Sequence, residues 1–469
     1  MREWEEATWS TGQTARKVIQ RVGSMVAERA LRLTREGDTI IILAGKGHNG
    51  DDARATLPYL INREIILLNA IEPCDTLERF SSDCNGPCRP QLIIDGLFGI
   101  GLNRDLHEDW QRLIEAINAT NIPILAVDVP SGIDSDSGAI RGAAVRALLT
   151  LTLGAPKRGL LAAGAIPYVG RLEVAPDIGL NSCPCLSDWQ WTTAEDFAVF
   201  ASPRAVASHK GTYGHVAIVG GSCGYHGAAV LASRGALRAQ PGLVSLFTPE
   251  NVYGPIASQL QSAMVHPWES AKMFPKSTSA ILFGPGLAAP TLPENMRAEL
   301  IDLWRTSPLP VIADASALDW LPSGNGFNAA IRVITPHPGE AARLLSVSNE
   351  AIQSDRVNAV RKLSERYGNC LVVLKGHQTL VGRSDGEVFF NSSGNPFLAQ
   401  GGSGDVLSGF LSGLLAQPRW QPDAALTIRY AVWEHGDCAD RLYRDKSNWT
   451  IDDLLSVLGQ VTLSSRVNL

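Results

Sequence analysis

Short, mostly β-branched apolar runs recur along the whole chain, each closed by a Gly, Asp or Pro cluster and followed by a segment of helical character. In the first part they are Thr39–Leu43, Glu64–Leu68, Leu92–Ile94, Ile124–Val127 and Leu148–Leu153. In the second they include His215–Val219, Val244–Phe247, Ala280–Phe283, Val311–Ala313, Ile331–Ile334 and Leu371–Leu374. Runs this short and this apolar fit strands buried on both faces. Their alternation with helical stretches such as Glu108–Ala119 and Glu294–Trp304 predicts βαβ units and parallel sheets. Residues Asn181–Thr193 (NSCPCLSDWQWTT) show neither period and read as a linker without a strand. The expected fold class is therefore α/β, with two doubly wound domains over residues 1–185 and 191–469.

Composition narrows the function classes. A length of 469 residues exceeds one ordinary core, and 45% apolar against 19% charged residues supplies material for two. Lys plus Arg at 41 against Asp plus Glu at 47 gives a net charge of −6 with no long basic run, which disfavours nucleic acid as a partner. No apolar stretch approaches the ~18–20 residues that span a bilayer. The start MREWEEATWS lacks the basic and apolar segments of a secretory signal, so a soluble cytoplasmic protein is expected. The 8 cysteines are scattered; Cys84/Cys88 and Cys183/Cys185 have tempting spacing, but His107 is not placed to complete a zinc set, and reduced thiols are the expectation.

In open α/β sheets ligands gather at the carboxyl ends of strands, and the chemistry-bearing motifs fall there. Thr39–Leu43 runs into AGKGHNGDDA, where Gly45, Gly47 and Gly50 would turn backbone amides to a ligand and Asp51 or Asp52 would cap the next helix. A plain tight turn with a capping aspartate is the alternative. Leu92–Ile94 delivers Asp95 and GLFGIGLNRDL; Ile124–Val127 delivers Asp128 and VPSGID. Three strand ends offering oxygens with glycine access suit a ligand crevice and a hard cation.

GKGHNGDDA, IIDGLFGIGL, AVDVPSGIDSDSG and TLGAPKRGLL stand in the order and spacing of the NAD(P)H-hydrate epimerase family, which the first ~180 residues resemble. That family interconverts the R and S forms of NAD(P)H carrying water across the nicotinamide ring, and its domain is Rossmann-like. The resemblance implies hydrate contacts at His48, Asn49, Gly50, Asp51 and Asp52, at Gly99, Ile100, Gly101, Leu102, Asn103, Arg104 and Asp105, and at Asp128. It further implies Asp128 as the proton-transfer group and potassium (K+) held by Asn49, Asp95 and Ser131. The family pattern is Asn-Asn-Gly-Gly-Asp, so His48 and Asp51 are departures, and an extra carboxylate beside a pyrophosphate would cost affinity.

The second half carries NSSGNPFLAQGGSGD, residues 391 to 405. Gly401, Gly402 and Gly404 strip side chains from a helix start, leaving amides for a phosphoryl group, with Asp405 as general base or, alternatively, as a simple cap. GGSGD resembles the catalytic turn of ribokinase-like kinases. KGTYGHVAIVGGS, FGPGL, IADASALDWL, ITPHPGEAARLL and VVLKGHQTLV extend the likeness to the ADP-dependent NAD(P)H-hydrate dehydratases over roughly residues 195 to 460. By this resemblance Asp405 takes the proton of the substrate hydroxyl, Ala228, Gly286, His337 and Asp405 line the hydrate site, and Lys375, Gly376, His377, Gln378, Thr379 and Gly404 contact the nucleotide. His337 has a second reading as a solvent-exposed turn residue. The implied cofactors are ADP, with ATP as the alternative, and Mg2+ to neutralise phosphate charge. The implied partners are small molecules, the hydrate and the nucleotide, with neither nucleic acid nor membrane; a homo-oligomer is compatible with the sequence. Together the halves resemble the bifunctional repair fusion. Two alternatives stand beside it: a dehydratase whose first domain only binds, and a ribokinase-like small-molecule kinase fused to an unrelated domain.

Overall fold

In the computed structural model, which describes residues 2–86, 89–184, 186–324, 330–446 and 448–460, the chain divides into two compact units, Met1–Leu186 and Ser187–Leu469. Cys88 and Cys185 lie outside the described residues, while Cys84 and Cys183 are free thiols. Among the described residues no helix is long and apolar enough to cross a membrane.

The first unit is built on β1 (Thr39–Ala44), β2 (Glu64–Asn69), β3 (Leu92–Gly96), β4 (Ile124–Val127), β5 (Leu149–Leu153) and β6 (Arg171–Ala175), in the order β2-β1-β3-β4-β5-β6. Every pairing is parallel. The central strands β1, β3, β4 and β5 are buried throughout, because helices cover both sheet faces with separate apolar clusters. The chain leaves β1 toward β2 and returns on the other side as β3. The strand order therefore reverses between β1 and β3, where a crevice opens at the strand ends.

The second unit contains β7 (Trp189–Trp191), β8 (His215–Val219), β9 (Leu243–Thr248), β10 (Met264–Pro267), β11 (Ala280–Phe283), β12 (Val311–Ala313), β13 (Arg332–Ile334), β14 (Leu371–Leu374), β15 (Leu380–Gly382) and β16 (Val388–Phe390). Their order is β10-β9-β8-β11-β12-β13-β14-β15-β16-β7, with the switch point between β8 and β11. Two expectations need correction. The sheet is mixed, since β14, β15 and β16 form an antiparallel ladder. The expected linker contains a strand: β7 pairs with β16 in parallel, where Trp189 meets Phe390 diagonally across the ladder in a tilted contact at 5.2 Å. A domain start at Trp191 would cut through that strand.

The helix Ser403–Leu415 packs on the helix His226–Arg238 closer than side chains would allow. A Cβ at Gly409 would lie 1.9 Å from the Ala232 carbonyl oxygen, one at Gly413 2.6 Å from that of Ala236, and one at Gly235 2.3 Å from that of Val406. Glycine at these places lets backbone meet backbone.

Candidate active sites

At the switch point of the first unit the helix His48–Arg54 begins directly after β1, with Gly47 at its cap position. Asp51 and Asp52 therefore sit inside the helix and neither caps it. Two of the loop glycines serve packing rather than a ligand: a Cβ on Gly45 would strike the Leu97 carbonyl oxygen at 2.0 Å, and one on Gly50 the Gly45 carbonyl oxygen at 2.1 Å. The Gly45 amide donates to the Gly96 carbonyl, tying the loop after β1 to the loop after β3.

These loops wall a cavity of about 1030 Å³ lined by His48, Asn49, Asp52, Asp128 and the whole of Gly99–Asp105. Gly50 and Asp51 do not line it. Asp51 instead faces Arg54 at 3.0 Å, one helical turn on, so its carboxylate is paired away from the cavity. Asp128 ends β4 with φ at 65°, a left-handed conformation rare outside glycine. Its Oδ1 accepts from the Leu153 amide at 3.0 Å, from Thr152 Oγ1 at 3.3 Å and from the ammonium of Lys157. That ammonium, buried with its partner, also donates to Thr152 Oγ1 at 3.1 Å and the Leu153 carbonyl at 2.8 Å. Burial first, then the Asp128 charge, pushes the Asp52 carboxyl well above the usual range; Glu5, from the helix Arg2–Trp9, also lines the cavity and is raised by the same two causes.

Beneath the cavity Asn49, Asp95 and Ser131 converge. Asp95 accepts from Ser131 Oγ at 2.6 Å, from the Ser131 amide at 2.8 Å and from the Leu97 amide at 3.2 Å. Asn49 Nδ2 donates to the Phe98 carbonyl, and the Phe98 amide donates to Ser131 Oγ, both at 2.9 Å. Asp95 is wholly buried among neutral donors, and burial raises its carboxyl.

In the second unit Asp314 after β12, Lys375 after β14 and Glu340 in the first turn of the helix Pro338–Leu345 gather near the start of the helix Ser403–Leu415. Gly402 stands at the cap in a left-handed conformation (φ 93°), so Asp405 is not the cap but the third helical residue. Lys375 Nζ lies 3.0 Å from Asp314 and 4.0 Å from Glu340, and a Cβ on Gly404 would come within 3.2 Å of the same nitrogen. Burial alone would lower the Lys375 ammonium, but Asp314 and Glu340 hold it above the ordinary lysine range. Asp405 moves the other way: burial, then the Asp314 charge and to a lesser degree Glu340, push it up to about 7 against the lowering effect of Lys375. Behind the turn, buried His435 from the helix Ala424–Asp445 hydrogen-bonds the Ser403 backbone, and burial pushes it down to about 4, so it stands neutral.

The remaining expected positions fall around this cluster. Gly286 (φ 71°) lies against Ala228, whose Cβ would be 3.1 Å from a Cβ on Gly286. His337 caps the helix Pro338–Leu345, its Nδ1 accepting from the Gly339 amide at 3.0 Å while Glu340 returns a bond to the His337 amide at 2.8 Å. The Gly376–Thr379 loop is pinned by Arg356, which donates to the His377 and Gln378 carbonyls, and Gln378 adopts φ 48°. Lys157, Asp314, Glu340 and His435 were not singled out from the sequence; the first three lie inside quoted motifs (TLGAPKRGLL, IADASALDWL, ITPHPGEAARLL), which was the available signal.

Both units resemble known proteins. A family model described as NAD(P)H-hydrate dehydratase matches residues 216–459, and one described as the YjeF-related protein N-terminus matches residues 66–159. The chain is 32% identical over 466 residues to a bifunctional NAD(P)H-hydrate repair enzyme of Coxiella burnetii, covering 94% of this chain and 93% of that protein. It is 33% identical over 459 residues to the Escherichia coli protein of the same description, covering 93% and 87%. A ribokinase-like superfamily protein from Enterococcus faecalis is 24% identical, covers 60% of this chain and 97% of its own with a TM-score of 0.50, and shows the fold of the second unit.

Proposed function

The chain belongs to the bifunctional NAD(P)H-hydrate repair enzyme family, and from that premise we propose that it returns hydrated NAD(P)H to use in two steps. Residues 1–185 epimerise the R and S hydrates; residues 191–469, together with the β7 strand at their start, dehydrate the S form with ADP as phosphoryl donor, giving AMP and phosphate. ADP rather than ATP, the small-molecule partners and a cytoplasmic location belong to the same reading.

The observation that carries it is the Asp405 cluster. A carboxylate poised near 7 can take the ring hydroxyl's proton as the oxygen attacks the nucleotide's terminal phosphorus. The amides of the Gly402–Gly404 turn face the transferring group, and Lys375 balances its charge. Phosphate is a far better leaving group than hydroxide, so its departure, with loss of a proton from the neighbouring ring carbon, restores the nicotinamide double bond. Ala228, Gly286 and His337 would border the hydrate, and Gly376–Thr379 the nucleotide. Asp314, Glu340 and Asp405 against the single Lys375 ammonium leave the cluster acidic, which fits a divalent cation. Asp314 and Glu340 would hold Mg2+, which when bound neutralises charge between phosphates.

In the first unit the Lys157 ammonium donates to Asp128, while burial and the Asp128 charge bias Asp52 to hold its proton. One carboxyl to give a proton and one to accept it is what loss and return of water at a ring carbon requires. The buried, uncompensated Asp95 with the Asn49 and Ser131 oxygens fits potassium. Pairing of Asp51 with Arg54 supports an active epimerase, because it removes the expected repulsion. The test is to incubate the chain with mixed hydrates, with and without ADP, and follow nicotinamide absorbance. Complete recovery of both epimers with ADP is expected; recovery of the S form alone would leave the first unit a binding module, and accumulation of a phosphorylated product would make the second a kinase.

A further inference from the structure

We infer that the second unit carries a second nucleotide site, a pocket for one nucleoside monophosphate at the end of the Ser403–Leu415 helix opposite the catalytic turn. The pocket measures about 280 Å³ and is formed where Phe200, the end of the helix His226–Arg238, the Gln417–Trp420 turn, Tyr430 and Gln460 meet. Three guanidinium groups, Arg204, Arg238 and Arg419, border it, and among the described residues no carboxylate does. Arg204 donates to the Gln240 carbonyl, so it serves partly to close a helix end. Among the described residues Arg238 and Arg419, both exposed at the rim, have neither hydrogen bond nor ion pair, which leaves their guanidinium donors open to an anion. Arg204 lies 3.8 Å and Arg419 5.7 Å from the ring centre of one residue, Tyr213, which holds like charges together, and burial with the Arg204 charge lowers Arg419.

The floor is apolar and aromatic. Phe200 stacks on Tyr430 at 4.0 Å and meets Trp420 in a tilted contact at 4.5 Å, an aromatic surface suited to a planar base. Gln417 also lines the pocket, only 1% exposed; its amide nitrogen is committed to the Ala239 carbonyl at 2.8 Å, while among the described residues its oxygen has no partner and calls for an N–H. Phosphate for the arginines, a ring for the floor and an N–H for Gln417 describe a nucleoside monophosphate. The volume, at the foot of the usual range for ligand pockets, admits one such unit and not a dinucleotide. The helix of 13 residues separates this end from Asp405 by roughly 1.5 Å per residue, so the two sites do not overlap.

The test is calorimetric titration of the full chain with AMP, with inorganic phosphate and adenosine as separate arms. Wild type should bind one more AMP per chain than the Arg204→Ala/Arg419→Ala variant, and raising NaCl to about 0.5 M should abolish that additional binding. Arg238→Glu replaces an exposed, unbonded side chain and should weaken the same site tenfold or more with no change in melting temperature. Phosphate or adenosine alone should bind it at least tenfold more weakly than AMP. Equal AMP stoichiometry and affinity in wild type and both variants would overturn the site, and phosphate binding as tightly as AMP would overturn its nucleotide character.

Discussion

Asp405→Asn should cost activity and gain stability, a pairing that separates a catalytic carboxylate from a structural one. The folded chain holds the Asp405 proton up to about 7, against an ordinary value of 3.8. Between those values the native state binds more protons than the unfolded chain, so this group makes stability fall as pH rises, with the full penalty present above about 7. The displacement from 3.8 to about 7, at ~1.4 kcal/mol per pH unit, amounts to about 4 kcal/mol as an upper value. Asparagine keeps the shape and carries no such penalty. Scanning calorimetry should therefore show the variant melting higher than wild type near pH 8, by on the order of 5 °C, with the gap closing toward about pH 4. Turnover of the S hydrate with ADP should fall by ~10²–10⁴, which is roughly 3–5 kcal/mol of barrier. The wild-type rate should rise with pH through about 7 as the base loses its proton. A lower melting temperature with near-normal turnover would refute the reasoning, because that is what loss of a structural hydrogen bond produces.

Lys157→Met strands the buried Asp128 charge, so epimerisation should drop about 100-fold and the first unit should lose ~3–5 kcal/mol in denaturant titration, with dehydration of pure S hydrate unchanged. Replacing potassium by tetramethylammonium should slow epimerisation, and potassium should raise the melting temperature of wild type but not of Asp95→Asn. A chain beginning at Ser187 should be soluble and dehydrate the S hydrate; one beginning at Trp191 lacks two of the three residues that pair with β16, leaves that edge bare and should aggregate in size-exclusion runs.

The parts legible in the sequence are those whose information is local. Runs such as Thr39–Leu43 and Ala280–Phe283 announce buried strands because β-branched residues pack well on a pleated surface, and the Gly and Asp clusters behind them mark the loops at the strand ends. β6, β7, β10, β15 and β16 are not among the runs read from the sequence, and what makes WQW a strand is its partner, 199 residues away at every paired position. The ion pairs were hidden for a similar reason. Asp128 meets Lys157 across 29 residues and Asp314 meets Lys375 across 61, so each lysine's role exists only once the sheet has assembled. Asp51 is the reverse case: Arg54 is one turn away on the same short helix, and placing the helix start at His48 would have revealed the pairing.

The glycine contacts between the helices Ser403–Leu415 and His226–Arg238 bear on manufacturing tolerance. Two helices in contact through large side chains can settle a turn up or down, a slip of about 5.4 Å. Where Gly409, Gly413 and Gly235 sit against bare backbone, only one seating is sterically free, and every copy of the chain presents Asp405 at the same height. A methyl group at Gly409, set against the Ala232 carbonyl, would push the whole helix outward and carry the Gly402–Asp405 turn with it. The accuracy of this chemistry is thus machined by residues that never meet a substrate.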